Sequence, residues 1–199
     1  MVFNSIMPKI EGFVEIRDTT DPNNPLLLVE KRNAIHFENM SIALAKSLAH
    51  RPDGHLHEMH FGSGASTISG IGTISYLPPN IEGLNSDLYN PTFFKVIDDQ
   101  SPLNNVPNNN NIIVRHTNNN LFSDIVVTCT LDFGEPAGQE AFDTATSTEQ
   151  QFIFDELGLR TFAGSPGTGI LVSHVIFSPV QKSLNRQLEI IYTIRISMV

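Results

Sequence analysis

Two stretches in the C-terminal half alternate apolar and polar residues without a break. In "LFSDIVVTCTLDF" (121–133), Ile125, Val127, Cys129, Leu131 and Phe133 fall on one face, and Asp124, Thr128, Thr130 and Asp132 on the other. In "LEIIYTIRISM" (188–198), Leu188, Ile190, Tyr192, Ile194 and Ile196 oppose Glu189, Thr193, Arg195 and Ser197. A period of two predicts strands with one covered face. "QFIFDELGL" (151–159) and "GILVSHVIFSPV" (169–180) supply two more strands between them. Toward the N-terminus, "GFVEIRD" (12–18) and "LLLVEKR" (26–32) flank "TTDPNNP", whose Asp-Pro and Asn-Asn-Pro steps form turns.

The helical period occurs once. Met40, Leu44 and Leu48 recur at helical spacing, with Ala43, Ala45 and Ala49 favouring helix. Asn39 is the expected N-cap, and Pro52 and Gly54 stop a helix near 39–50. Residues 62–111 lack regular pattern apart from "TFFKVID" (92–98), and their length suggests a contact surface. "IIVRH" (112–116) sits between Asn-rich tracts that read as surface turns. The expected architecture is mainly β: an antiparallel β-sandwich, or a barrel-like variant, with one helix. It forms a single domain over 1–199, with a long loop-rich insertion at about 62–111.

Composition narrows the function. The 199 residues include 13 Gly and 12 Pro, and the formal charge is −9 with no basic run. That balance argues against a phosphate-binding, nucleic-acid surface. Cys129 is the single cysteine, so neither an internal disulfide nor a thiolate metal site is expected. It lies on the apolar face of its strand, as a packed thiol does. "MVFNSIMPKIEGF" lacks the basic start and long apolar run of a secretory leader, and no stretch reads as a membrane span. Synthesis and folding in a cytoplasm are expected, with no membrane partner.

Candidate chemistry centres on "GHLHEMHFGSG" (54–64). His57-Glu58-Met59-His60 is one residue short of the zinc-protease spacing, which needs two histidines on one helical face. The glycines that follow leave no helix to hold it. As a strand, His55 and His57 point the same way, and a metal would need a third ligand from His36, His50, His116 or His174. The simpler reading is a strand entering a glycine turn, with Met59 and Phe61 inward. Asp155 and Glu156, adjacent on a strand, are expected on opposite faces, which separates them as a carboxylate pair. Asp18 and Asp21 in "DTTDPNN" lack the ordered spacing of a calcium loop. No nucleophile elbow or phosphate loop occurs. No catalytic, cofactor-binding or metal residue is therefore assigned, and no cofactor is expected.

Several segments, in order, resemble one group of proteins. They are "KIEGFVEIRD", the "NAIHFENMSIALAKSLA" helix, "LHEMHFGSG", "FIFDELGLRTF" and "GILVSHVIFSPVQKSLNRQLEIIYTIRI". The resemblance is to bacteriophage virion structural proteins of tails, baseplates and fibre attachments, over residues 8–199. The matching residues are Gly62, Gly64, Glu156, Gly158, Phe177, Pro179 and Lys182, which are architectural positions. The resemblance implies a non-enzymatic subunit of a tail, baseplate or neck, assembled in the host cytoplasm and located in the virion. Its partners would be copies of itself, in a ring around the particle axis, and other virion proteins. "YLPP" (76–79) and "YNPTFF" (89–94) are the expected interface anchors. One alternative is a capsid decoration or host-surface carbohydrate-binding module, against which the absence of Trp counts. A further alternative is a metal-dependent enzyme using His55 and His57.

Overall fold

A computed structural model describes residues 8–68, 70, 72–136 and 151–198. Among them are eleven strands: β1 (Pro8–Asp18), β2 (Leu26–Ile35), β3 (Leu56–Gly62), β4 (Ser66–Ile68), β5 (Ile74–Tyr76), β6 (Pro91–Val96), β7 (Asn111–His116), β8 (Phe122–Leu131), β9 (Gln151–Thr161), β10 (Leu171–Ser183) and β11 (Leu188–Met198). The one helix, α1, spans Phe37–Leu48. The N-terminal residues 1–7 read above for a leader lie outside the described part.

Nine strands form one antiparallel sheet in the order β6-β3-β9-β10-β2-β1-β11-β8-β7, curled into a half-barrel. β4 and β5 form a separate small hairpin. The expected mainly β, antiparallel chain with one helix is thus present in its barrel-like form. β2 turns the corner. Its residues up to Asn33 pair with β1, while Ala34 and Ile35 pair with His174 and Ser173 of β10. Polar groups tie the same corner from inside. The Tyr192 hydroxyl donates to Ser173 Oγ at 2.7 Å, and the Asn33 amide donates to Tyr192.

The concave face holds one apolar core. Val14 and Ile16 of β1, Met59 and Phe61 of β3, Val127 and Cys129 of β8, Phe152 and Phe154 of β9, and Ile190, Tyr192 and Ile194 of β11 all belong to it. Burying each large apolar side chain contributes roughly 1.5–3 kcal/mol, so the phenylalanine group is a major stabilising unit. Phe154 meets Phe61 and Phe177 edge-on at 5.4 and 5.7 Å. The alternation expected in 188–198 is observed. In 121–133 it ends early, because β8 stops at Leu131 and Phe133 stands half in solvent.

The helix begins two residues before the expected cap. His36 is the N-cap, extended at φ −81°, and its ring Nδ1 accepts the Asn39 N–H at 3.2 Å. Asn39 points inward instead, donating to Leu171 O at 2.8 Å. An imidazole nitrogen does the work usually given to Ser, Thr, Asp or Asn, so cap propensity alone chose the wrong residue.

The two outer strands, β6 and β7, do not pair with each other. Residues 97–110 and two side chains bridge the gap between them. Lys95 Nζ reaches Thr130 O at 2.6 Å and the Glu135 carboxylate at 2.5 Å. Asn110 Oδ1 accepts the Thr130 N–H at 3.0 Å, extending the ladder beyond β7. The irregular region 62–111 therefore contains β4, β5 and β6 and a strap across the barrel opening.

Candidate functional site

The convex face of β3, β9 and β10 carries a buried polar layer. Met59 and Phe61 point to the core, which sends Glu58 and His60 outward. Across the ladder, Glu58 stands opposite Arg160 and His60 opposite Gly158, which in turn faces His174. Residues 63–66, 80–90 and 163–169 cover this layer. Glu58, His60, Glu156, Arg160 and His174 are all buried.

Glu58 gathers the first cluster. Its Oε1 lies 3.2 Å from His57 Nδ1 and its Oε2 2.8 Å from His60 Nε2. The Gly167 N–H donates to both oxygens, at 3.0 and 2.9 Å. Gly167 has φ +79°, a left-handed conformation that suits glycine and aims its N–H at the carboxylate. Burial opposes ionisation of Glu58, but donors from His60, Gly167 and His57 outweigh it and hold its pKa below the ordinary glutamate value. Burial lowers the pKa of His60, favouring the neutral ring, which stacks on Phe94 at 5.2 Å.

Glu156 gathers the second. Its Oε1 accepts the N–H groups of Gly64 at 3.1 Å and Asn90 at 2.9 Å, and Oε2 accepts Tyr89 N–H at 2.9 Å. His174 Nε2 lies 3.0 Å from Oε2, while its Nδ1 accepts the Asn80 N–H at 2.8 Å. A backbone N–H can only donate, so His174 carries its proton on Nε2 and donates it to Glu156. Again burial resists ionisation, and the hydrogen bonds reverse it, keeping Glu156 below its usual pKa.

Asp155 was expected on the opposite face from Glu156. Instead both are buried under the same loop: Asp155 accepts the Ala65 N–H at 3.1 Å and the Ser66 hydroxyl. The cause is a register break opposite β10, between the Ile176 and Val180 pairings. Phe152 and Phe154 face the core before it, and Leu157 and Leu159 after it. The parity therefore slips at Asp155-Glu156 and both carboxylates emerge together. Burial raises the Asp155 pKa. The apolar parity change in "FIFDELGL" was the sequence signal for this pair.

Gly62 and Gly64 were expected to supply turn freedom, but neither adopts a left-handed φ. They supply space. A Cβ on Gly62 would lie 2.5 Å from Glu156 Oε1 and 2.7 Å from Asn90 O. One on Gly64 would lie 2.8 Å from Asn90 N.

Of the histidines named for metal binding, His55 and His57 do lie side by side, with ring centroids 6.2 Å apart, but among the described residues no third ligand joins them. His55 is half-exposed, with Nε2 3.5 Å from Asp98 Oδ2. His57 uses its ring nitrogens on Glu58 and, at 3.2 Å, on Ser101 Oγ. His36 caps α1, and His116 Nδ1 contacts Phe122 O and Ser123 Oγ. His50 has φ 53° just beyond α1. Among the described residues, no group of three His, Cys, Asp or Glu is placed to hold a metal. Asp18 and Asp21 accept backbone N–H groups within their own turn, and Asp18 also pairs with Arg186 at 2.7 Å.

Ser101, His57 and Glu58 are connected in the order of a nucleophile, base and orienting acid. The backbone around Ser101 is committed elsewhere, however. Ser101 N–H donates to Asp98 O, Gln100 N–H to Asp98 Oδ1, and Leu103 N–H to Ser101 Oγ itself. An acyl-transfer site needs such N–H groups free to receive an oxyanion. The contacts of the triplet tie the turn at Ser101 to β3.

No family model, curated protein or solved structure matches this chain. The residues of the virion-protein resemblance nonetheless have definite structural roles. Phe177 enters the core and Pro179 sits at the β10 bulge. Lys182 Nζ donates to Asp132 O, Glu135 O and Ser183 O at 2.7–3.0 Å. Burial lowers its pKa to about 8. Gly158 leaves room where a Cβ would meet Leu171 Cδ1 at 2.5 Å. Of the expected anchors, Tyr76 and Tyr89 are exposed on the surface, whereas Phe93 packs on the core and Phe94 on His60.

Proposed function

We propose that this chain is a non-enzymatic structural subunit of a bacteriophage particle, in its tail, baseplate or neck. It works by associating with copies of itself around the particle axis and by docking to other virion proteins. One observation carries the reading: the buried carboxylates Glu58, Asp155 and Glu156 all accept backbone N–H groups from covering loops. Acceptors used in this way shape and stiffen loops, and a subunit that docks through loops needs them shaped beforehand.

Two further features support it. Ile113 on the outer strand β7, Leu48 at the end of α1 and Leu121 before β8 are 41%, 89% and 71% exposed. Apolar groups on an edge strand and its surroundings are surfaces that neighbouring subunits cover. The second is the ordered sequence resemblance described above.

The deciding experiment combines the native mass of the purified chain with mass spectrometry of purified particles. A ring-sized oligomer, together with the chain among virion proteins, supports the reading. A monomer absent from particles overturns it.

A further inference from the structure

A cleft opens at the end of the half-barrel, between α1 and the β7–β8–β11 side of the sheet. Its volume is about 550 Å³, within the range of roughly 300–1,000 Å³ found for small-molecule sites. Its walls are apolar: Ala43 and Leu44 of α1, Leu56 of β3, Val114 of β7, Ile125 of β8 and Ile194 of β11. Leu44, Ile125 and Val114 all retain solvent exposure, so this wall is incompletely covered by the described residues.

The rim has one sign of charge. Asp98 and Asp99, in the turn after β6, line it beside Gln100 and His55, and no Lys or Arg is among the described lining residues. Asp98 is partly engaged, taking the Gln100 N–H at 3.0 Å, with its other oxygen 3.5 Å from His55. The exposed Asp99 carboxylate has no hydrogen-bond or ion-pair partner among the described residues. An apolar interior with an acidic mouth favours a ligand with a greasy body and a positive end.

We propose that this cleft is a binding site for a small amphipathic cation, an alkyl or aryl chain carrying an ammonium head. The chain lies against Ala43, Leu44, Val114 and Ile194, and the head sits at Asp98 and Asp99. This site is independent of the assembly reading, because it needs neither a second copy nor a particle.

Calorimetric titration of the intact chain tests it, using dodecyltrimethylammonium below its micelle concentration. Dodecyl sulfate serves as the anionic control and tetramethylammonium as the head alone. The expected result is saturable binding of one cation per chain, about tenfold tighter than the sulfate of equal length, with tetramethylammonium unbound. Ala43→Phe, which fills the cleft, removes binding. Val114→Lys, at a position 71% exposed, reverses the charge preference, and Asp99→Asn reduces it. Equal affinity for both surfactants, no saturable binding, or a charge preference unmoved by Val114→Lys would overturn the proposal.

Discussion

Glu156 and His174 are completely buried side by side, 3.0 Å apart, and each fastens a different part of the same loop. The carboxylate holds Gly64, Tyr89 and Asn90, and the imidazole holds Asn80. Glu156→Gln would place an amide NH₂ where one of the two accepting oxygens now stands, leaving N–H donors facing it. The expected loss is about 2–4 kcal/mol of stability, read from urea unfolding. Faster hydrogen exchange at Gly64, Tyr89 and Asn90 should accompany it.

Acid sensitivity follows from the same groups. The folded pKa of His60 is lowered, so the unfolded chain takes up its proton first, and stability falls as pH drops below the ordinary histidine value of 6.5. Glu58 and Glu156 are also lowered in the folded state, so their contribution is present above the usual 4.5 and is lost as pH falls further. Asp155, raised by burial, opposes this, since its protonation relieves a cost. Melting temperature should therefore decline in two stages on acidification. His60→Gln should flatten the first stage and leave the second.

Gly62→Ala should destabilise the chain by about 1–3 kcal/mol, because the added methyl meets both a carboxylate oxygen and a carbonyl oxygen at under 3 Å. Gly70→Ala is the control. A Cβ there meets nothing within 4 Å, and its effect should stay within about 0.5 kcal/mol. Chemical denaturation of the two variants checks the contrast.

Cys129 should be inert in the folded chain. It is buried among core side chains, and burial pushes its thiol up to about 12. Iodoacetamide is expected to label it only after denaturation. Labelling of the native chain by mass spectrometry would show that the β8–β11 core opens.

Ser101 should behave as a brace. Ser101→Ala removes the hydroxyl partner of His57 and the acceptor for Leu103 N–H, costing about 1 kcal/mol. A fluorophosphonate probe should leave wild-type Ser101 unmodified, and intact-mass measurement reads this directly.

The sequence by itself determined the strands whose side chains obey a local rule. Alternation at Leu188, Ile190, Tyr192 and Ile194 needs only the pleat and one covered face, and these residues are indeed buried. The single helix was legible in Met40 and Ala43, both of which face the core. Tertiary structure alone decided the polar layer. That Glu58 would meet Gly167, and Glu156 would meet Gly64, Tyr89, Asn90 and His174, depends on chain segments up to 109 residues apart. No local periodicity encodes those encounters. They exist because ionised carboxylates displaced from water by covering loops are tolerated only where several donors converge. The same burden explains Gly62, whose small size was visible in the sequence but whose reason, a carboxylate pressed against it, arises only when β3 and β9 pair.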